Sequence, residues 1–323
     1  MEKKRDLIRI KELCFRYGRV PVLKDLNLTI HEQEIFGIVG MSGVGKTTLL
    51  NLIIGFLKPE KGEIEYRIND KFINIHDNIK LIRDCFGFSS QKPSFYNELT
   101  VRQNLEYFAS LYNLDRETKT KNIERALELV DLKDYKNKLG GELSGGMQKR
   151  LDIACSIIHK PRVLIMDEPT ADLDVFNREK IWNLIKRINE VGTTIIIASH
   201  FLEELEIVCS RIGILHEKKM IAVGSIDELK RTYSRAKTIH VKTKNRRYDL
   251  ILEKLKRVSL FEVKKIESEP EKLIISTENV EETMKNLIAA IKELDDRIVH
   301  VSVLEPRLGD IFESIIAKNI MEK

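Results

Sequence analysis

Long apolar runs are missing from this sequence of 323 residues. None approaches the roughly 18 residues that a membrane-spanning helix requires. The first ten residues, MEKKRDLIRI, also lack the apolar centre of a secretory signal. We therefore expect a chain that crosses no membrane by itself. The length further predicts about two domains, since a domain typically has about 150 residues.

Cysteine is scarce, and neither sign of charge dominates. The four cysteines, Cys14, Cys85, Cys155 and Cys209, are scattered and form no CxxC pair. This favours reduced thiols in a cytosolic protein over disulfides or a metal site. The 55 basic and 50 acidic residues leave a net charge of only +5. So small an excess does not indicate nucleic-acid binding.

The stretch IFGIVGMSGVGKTTLLN carries the strongest motif. An apolar run typical of a buried strand leads into G-x-x-x-x-G-K-[ST], which Gly40 opens and Lys46 and Thr47 close. Gly43 and Gly45 let backbone N–H groups approach phosphate oxygens, and the following helix adds a positive N-terminal dipole. Lys46 can reach the β- and γ-phosphates, and the Thr47 hydroxyl can ligate Mg²⁺. The stretch predicts a nucleotide-phosphate site rather than a plain glycine-rich turn.

Two further apolar runs, at residues 163–166 and 194–198, each end in polar side chains. Because ligands bind at the carboxyl edge of an open α/β sheet, we expect these side chains to meet there. Asp167 can hold Mg²⁺, and Glu168 can polarise a water for attack on the γ-phosphate. His200 can donate to that phosphate. Taken as isolated matches, these residues also fit an exposed turn and a structural histidine.

A second glycine turn, Ser144-Gly145-Gly146, precedes a predicted helix that runs to His159 and is stopped by Pro161. We expect Ser144 to cap this helix. The two glycines should leave the first N–H groups open. The turn therefore predicts a second anion site.

The rest of the first 233 residues predicts a small antiparallel sheet and a helical region. Residues 7–15, 26–30 and 63–68 alternate as strands do. Helical spacing extends from residue 99 to about 158, and Thr100 is the predicted N-cap.

Three aromatic residues each allow two interpretations. Tyr17 follows the first strand and fits either a half-buried strand residue or a residue that stacks on a base. Phe95 and Tyr96 lie in a loop that follows Gln91 and has no core periodicity. They fit local burial as well as exposure. We expect an exposed pair, because it would offer apolar anchors to a partner's helix.

Tyr17, the loop 40–48, Gln91, LSGGMQ, LIMDEPTADLD and Ser199-His200 follow one another in unbroken order. Together they resemble the nucleotide-binding subunit of an ABC transporter. The stretch GFSSQKPSFYNELTVRQNLEYFASLYNL is similar to the ABC-2 export branch. The resemblance implies an α/β fold, a P-loop NTPase of ABC type. It would comprise a parallel core sheet, an antiparallel β subdomain and a helical subdomain at about 92–160, within a domain of residues 1–233.

The same resemblance implies ATP and Mg²⁺ as cofactors. Tyr17 would stack on adenine, Asp174 would bridge two copies, and Ser144 and Gly146 would close over the γ-phosphate bound to a second copy. The catalytic residues would be Glu168 as general base, His200 as switch histidine, Gln91 and Lys46. The metal-binding residues would be Thr47, Gln91 and Asp167. The nucleotide-binding residues would be Tyr17, Gly40, Ser42, Gly43, Gly45, Lys46, Thr47, Thr48, Ser144, Gly145, Gly146 and Asp174.

After Leu229 the pattern changes to strand, helix, strand, strand, helix, strand. This order predicts an α+β split-βαβ domain at residues 234–323, with the basic run 242–247 as a solvated turn. Its end, EPRLGDIFESIIA, resembles the close of the accessory domain of many ABC-2 ATPases. Regulation, subunit contact and passive stabilisation all remain open as its role.

We expect an ATP-hydrolysing subunit that powers an ABC-2 type membrane exporter through ATP-driven dimerisation. The implied partners are ABC-2 type transmembrane permease subunits and a second copy in a head-to-tail dimer, with no nucleic acid. The implied location is cytoplasmic, peripheral on the inner face of the cell membrane. One alternative is a soluble ABC ATPase acting on ribosomes or nucleic acid. The other is a regulatory subunit that holds ATP without hydrolysing it, against which intact Glu168 and His200 argue.

Overall fold

The computed structural model describes residues 5–79, 83–233, 237–258, 263–264, 272–305, 308–309, 311–312 and 315–316. The chain forms two compact units, Met1–Ser225 and Ile226–Lys323. The helix 226–233 therefore belongs to the second unit, whereas the sequence analysis assigned it to the end of the first domain. No helix within the described ranges is long and apolar enough to span a membrane.

The first unit contains strands and α-helices in mixed order. Its strands are β1 (Asp6–Tyr17), β2 (Val20–His31), β3 (Ile35–Val39), β4 (Lys61–Ile68), β5 (Lys71–Asn74), β6 (Phe86–Ser89), β7 (Val163–Asp167), β8 (Thr194–Ser199), β9 (Arg211–His216) and β10 (Lys219–Ser225). Its α-helices are α1 (Lys46–Ile54), α2 (Val101–Leu111), α3 (Arg116–Leu129), α4 (Gly145–Ile157), α5 (Val175–Glu190) and α6 (Leu202–Val208).

A parallel sheet forms the centre of this unit, as predicted. Its order is β10-β9-β3-β8-β7-β6, and every pair is parallel except β10 with β9. Every residue of β3, β7 and β8 is buried, which explains why their sequences read as continuous apolar runs. Their carboxyl ends lie at one edge of the sheet and position the functional residues there.

The predicted antiparallel sheet is also confirmed, in the order β2-β1-β4-β5. Its inward side chains share one apolar core with the central sheet and with α1. Between β6 and β7 lie α2, α3 and α4, which form the predicted helical region. Thr100 caps α2, and it forms a reciprocal capping box with Gln103.

The second unit begins with α7 (Ile226–Tyr233). Its later elements are β11 (Lys237–Thr243), α8 (Tyr248–Val258), β12 (Val263–Lys264), β13 (Leu273–Thr277), α9 (Val280–Glu293) and β14 (Ile298–Leu304). The sheet order is β12-β13-β11-β14, antiparallel throughout, with α8 and α9 packed on one face. The predicted order of strands and helices is therefore confirmed. Six of the thirteen residues of the EPRLGDIFESIIA segment lie outside the described residues.

Candidate active site

The loop between β3 and α1 has the geometry of a phosphate cradle. Gly43 and Gly45 have φ angles of +77° and +113°, in the left-handed region that glycine adopts without strain. A Cβ on Gly40 would lie 2.5 Å from the backbone oxygen of Leu215, so only glycine fits there. Lys46 begins α1, and its Nζ donates to the carbonyl oxygens of Gly40 (2.9 Å) and Met41 (3.3 Å). The ammonium group thus lies over the loop, where phosphate oxygens would compete for it.

Asp167 ends β7 and faces the start of α1. The Thr47 hydroxyl donates to Asp167 Oδ2 at 2.6 Å. Asp167 Oδ1 is buried without a hydrogen-bond partner. Burial raises the pKa of this carboxyl, and the Thr47 hydrogen bond opposes that rise. A hydroxyl beside a buried carboxylate with a free oxygen is a donor set that Mg²⁺ accepts, so these two residues fit the implied ion.

Glu168 lies between two other predicted site residues. Its Oε1 is 3.6 Å from Lys46 Nζ, and its Oε2 is 2.8 Å from His200 Nδ1. The Glu168 N–H donates to the Ala198 carbonyl of the neighbouring strand. The residue has φ +48°, an uncommon conformation for a residue with a side chain. The backbone turn at the strand end therefore aims the carboxylate at the loop of Lys46.

Gln91 lies two residues beyond β6, at the same carboxyl edge, because Ser89 pairs with Met166 just before Asp167. Its side chain is exposed. In the described part of the chain, Tyr17, Gln91, Ser144 and Asp174 make no hydrogen bond or ion pair to Lys46, Thr47, Asp167, Glu168 or His200. Direct contacts thus link five predicted residues, and the other four make no such contact with them.

A buried polar cluster that sequence reasoning missed holds the segment around Gln91. Asp152 on α4 accepts from the Ser89 hydroxyl at 2.6 Å and from the Ser94 N–H and hydroxyl at 2.8 Å each. Lys149, one turn earlier, donates to the Ser90 carbonyl at 2.8 Å. Burial lowers the pKa of Lys149. In the sequence, the one sign of this cluster is that Lys149 and Asp152 lie three residues apart in a largely apolar helix.

The glycine turn at the start of α4 differs in part from expectation. Ser144 occupies the N-cap position, but its side chain makes no capping hydrogen bond, so the predicted cap is wrong. The helix ends at Ile157, two residues before the predicted end. Ser144 and Gly145 are exposed. The turn at the start of α4 is therefore open to solvent.

Gly146 is buried against the start of α5. A Cβ on Gly146 would lie 2.3 Å from Asn177 Oδ1. Asp174 caps α5 by accepting from the Asn177 N–H at 2.9 Å and from Asn177 Nδ2 at 2.6 Å. Sequence reasoning gave Asp174 a role between copies and missed this cap. The glycine turn and Asp174 are therefore linked within one chain through a single asparagine.

Two predicted aromatic features have clear outcomes. Tyr17 is half exposed, with its ring edge-on to Phe15 at a centroid distance of 4.9 Å. The prediction that Phe95 and Tyr96 are both exposed is wrong, because Phe95 is 8% exposed and packs against Gly140. Tyr96 is 45% exposed and contacts Tyr107.

Comparisons with known proteins agree with this geometry. The sequence pattern of the family described as ABC transporter matches residues 23–171. The linearmycin resistance ATP-binding protein LnrL of Bacillus subtilis is 29% identical over 98% of this chain and 100% of the relative. The bacitracin transport ATP-binding protein BcrA of Bacillus licheniformis is 34% identical over 70% of this chain and 72% of the relative.

The probable multidrug ABC transporter ATP-binding protein YbhF of Escherichia coli is 34% identical over 69% of this chain, which spans only 38% of that relative. Among solved structures, cbiO1 of Clostridium perfringens, part of the ABC transporter complex cbiONQ, superposes with a TM-score of 0.65 and 30% identity. That match covers 71% of this chain and 92% of the other. An ATP-binding subunit of an ABC transporter superposes with a TM-score of 0.63 and 26% identity, over 70% and 93% of the two chains.

Proposed function

The chain belongs to the family of ABC transporter ATP-binding proteins, and on that premise we propose that it is the ATP-hydrolysing subunit of an ABC-2 type exporter. The observation that carries the proposal is the position of Glu168 between Lys46 and His200 at the carboxyl edge of the sheet. The names of LnrL and BcrA, a resistance protein and a transport protein, favour export.

In the proposed reaction, Glu168 accepts the proton of a water that attacks the γ-phosphorus of ATP, and ADP leaves with the β–γ bridging oxygen. The hydrogen bond to His200 Nδ1 orients the carboxylate for this step. Lys46 exchanges its two carbonyl partners for the β- and γ-phosphates. This assignment favours a subunit that hydrolyses ATP over a regulatory subunit that only binds it.

Mg²⁺ would be held by Thr47 and Asp167, with Gln91 as a further ligand. The ion would neutralise charge that develops on the phosphates. The free buried oxygen of Asp167 supports this assignment. Tyr17 supplies a half-exposed ring for the adenine. Gly40, Ser42, Gly43, Gly45 and Thr48 complete the phosphate loop.

A second copy would complete the site. Ser144, Gly145 and Gly146 would cover the γ-phosphate bound to the other copy, and Asp174 would lie at the junction. The outward exposure of Ser144 and Gly145 supports this arrangement, because an N-terminal turn with open N–H groups suits an anion.

The permease would dock on the loop that follows Gln91. Tyr96 and Tyr107 form an exposed edge-to-face pair, with the Tyr96 hydroxyl donating to the Tyr107 hydroxyl at 3.2 Å. Asp152 fixes the same loop to α4 through Ser94. Movement of α4 would therefore move the aromatic pair. A permease docked on this loop would hold the chain at the inner face of the cell membrane, in the cytoplasm.

The proposal is tested by purifying the tagged chain from detergent-solubilised membranes of its native host. We expect a detergent-stable complex whose ATPase activity in liposomes exceeds that of the chain alone. A double variant, Tyr96→Ala with Tyr107→Ala, should lose the complex and keep ATP binding. Recovery of the chain with ribosomes or nucleic acid, and with no membrane protein, would support the soluble alternative instead.

A further inference from the structure

A charged pair in the first unit joins three segments that carry predicted site residues. Glu204 lies on α6, four residues after His200. Its Oε1 accepts from Arg178 Nη1, on α5, at 2.9 Å. Its Oε2 accepts from the Thr170 hydroxyl at 2.6 Å and from Trp182 Nε1 at 3.2 Å. Three donors thus converge on one carboxylate, whose side chain is only 15% exposed.

The first of the three segments is the turn that carries Glu168. The Glu168 carbonyl accepts from the Ala171 N–H at 3.2 Å, so the fully buried Thr170 lies inside this turn. Glu168 itself has a left-handed backbone with φ +48°. A residue with a side chain keeps such a conformation only when surrounding contacts enforce it. The hydrogen bond from Thr170 to Glu204 is one such contact.

Arg178 reaches the other two segments. Its Nε donates to the Leu173 carbonyl at 2.8 Å, directly before Asp174. Its guanidinium lies over the Phe201 ring, 4.8 Å from the ring centroid. The Phe201 ring in turn packs against the His200 imidazole, with the two centroids 3.9 Å apart. The charged pair therefore contacts the direct neighbours of the residues that would hydrolyse ATP.

We propose that Arg178 and Glu204 are positioning residues for ATP hydrolysis, an inference that rests on the proposed function. Together, the contacts described above hold the Glu168 carboxylate and the His200 imidazole 2.8 Å from each other. A misplacement of about 1 Å at a reacting group can lower the rate of a reaction about 10²-fold. The pair therefore sets the rate of hydrolysis and leaves the affinity for ATP to the phosphate loop.

Conservative variants should disturb this arrangement with little change in volume. Glu204→Gln replaces one carboxylate oxygen by an NH2 group, which must face either Arg178 Nη1 or Trp182 Nε1, and both of these atoms can only donate. Arg178→Lys keeps the charge but loses the planar fork that serves Glu204 and the Leu173 carbonyl together. We expect each variant to lower kcat about tenfold or more and to change the Kd for ATP less than about twofold.

The first unit offers a matched control pair, Arg211 and Glu34, at the amino ends of the central strands. Arg211 begins β9 and binds Glu34, which directly precedes β3, at 3.0 Å. It also donates to a backbone carbonyl of β2 and lies over the Phe36 ring. Arg211 thus has the same three kinds of partner as Arg178, but at the edge of the sheet opposite the site. Arg211→Lys and Glu34→Gln should destabilise the fold and leave kcat per folded chain unchanged.

A double-variant cycle separates positioning from loss of stability. The kcat and KM of each full-length variant are measured, with the folded fraction determined by urea unfolding. In the Glu168→Gln background, Glu204→Gln should lower the residual rate less than about twofold, because the carboxylate that it positions is already absent. A general loss of folded protein would lower the rate by the same factor in both backgrounds.

Nitrogen NMR of chains labelled at histidine tests the geometry without turnover. The His200 signals are those missing from the spectrum of His200→Gln. Because His200 Nδ1 contacts Glu168, Glu168→Gln should shift the Nδ1 resonance. We expect Glu204→Gln and Arg178→Lys to shift the same resonance, and Arg211→Lys to leave it in place.

If kcat per folded chain is unchanged in both Arg178→Lys and Glu204→Gln, the inference is overturned. A loss of kcat of equal size in the control pair would overturn it as well. If the wild-type chain hydrolyses no ATP, the proposed function fails, and the His200 resonance still decides the inference. Movement of that resonance in the two variants supports a positioning role, and an unmoved resonance excludes it.

Discussion

His200 Nδ1 lies 2.8 Å from one carboxylate oxygen of Glu168, and Lys46 Nζ lies 3.6 Å from the other. The proposed base thus contacts the two groups that would contact the γ-phosphate. Binding of ATP would draw Lys46 towards the phosphates and free one oxygen of Glu168 for water.

Replacing Glu168 by Gln should separate binding from hydrolysis. The amide keeps the shape of the side chain and a contact to His200, but it cannot take a proton from water. We expect ATP binding to persist and phosphate release to fall about 10²-fold or more. The variant should also accumulate an ATP-bound dimer, because the nucleotide is not consumed. Phosphate release close to that of the wild type would remove Glu168 from the mechanism.

Mixing two inactive variants should test whether sites are shared between copies. Lys46→Ala damages the phosphate loop, and Ser144→Arg fills the exposed turn at the start of α4. Each homodimer has two impaired sites, whereas a heterodimer combines one intact site with one that is doubly damaged. We expect partial recovery of ATPase activity on mixing. A mixture no more active than its two components would contradict the shared site.

Phe95 and Tyr96 are neighbours with opposite environments, so their alanine variants should behave differently. Phe95→Ala removes a buried ring, and we expect about 3–5 kcal/mol less free energy of unfolding. Tyr96→Ala removes an exposed ring and should cost less than about 1 kcal/mol. Urea unfolding of both variants measures the difference. Equal destabilisation would mean that Tyr96 also belongs to the core, and the docking surface would then have to be sought elsewhere.

The sequence predicted the central sheet and the five grouped site residues for a physical reason. Buried parallel strands read as unbroken apolar runs, and their carboxyl ends meet at one edge, so Asp167 and His200 could be placed together without a structure. The position of Phe95 could not be predicted, because it depends on Gly140, which lies far along the chain. The hydrogen bonds of Asp152 to Ser89 and Ser94 are equally non-local and left no periodic signal.

The prediction that the Ser144 side chain caps α4 was wrong for a related reason. A serine before a helix satisfies the local pattern, yet its hydroxyl makes no capping hydrogen bond in this chain. For Asp174, the resemblance implied a contact with a second copy, which stays a prediction. The cap that its side chain forms on α5 was not predicted. Local rules thus placed the helices correctly and left their side-chain partners undecided.

His159 should control the acid stability of the first unit. Its Nε2 lies 3.0 Å from the Phe86 carbonyl, its ring stacks on Tyr112 at 3.6 Å, and its Nδ1 is buried without a partner. In this setting Nε2–H donates to the carbonyl, and a second proton on Nδ1 would be buried unpaired. Burial accordingly lowers the pKa of His159 from 6.5 to about 4.

Because the folded-state pKa lies below the unfolded value, the stabilising contribution is complete above pH 6.5 and is lost as the pH falls towards 4. Between these two pH values His159 binds a proton in the unfolded chain but not in the folded chain. A shift of this size corresponds to about 3 kcal/mol of unfolding free energy. In urea titrations at a series of pH values, the free energy of unfolding should therefore decrease steeply below pH 6.5. The decrease should be smaller in His159→Gln, since glutamine does not titrate. It should be unchanged in Tyr112→Phe, which keeps the stacked ring. If the free energy of unfolding of His159→Gln decreases as steeply as that of the wild type, other groups govern acid unfolding.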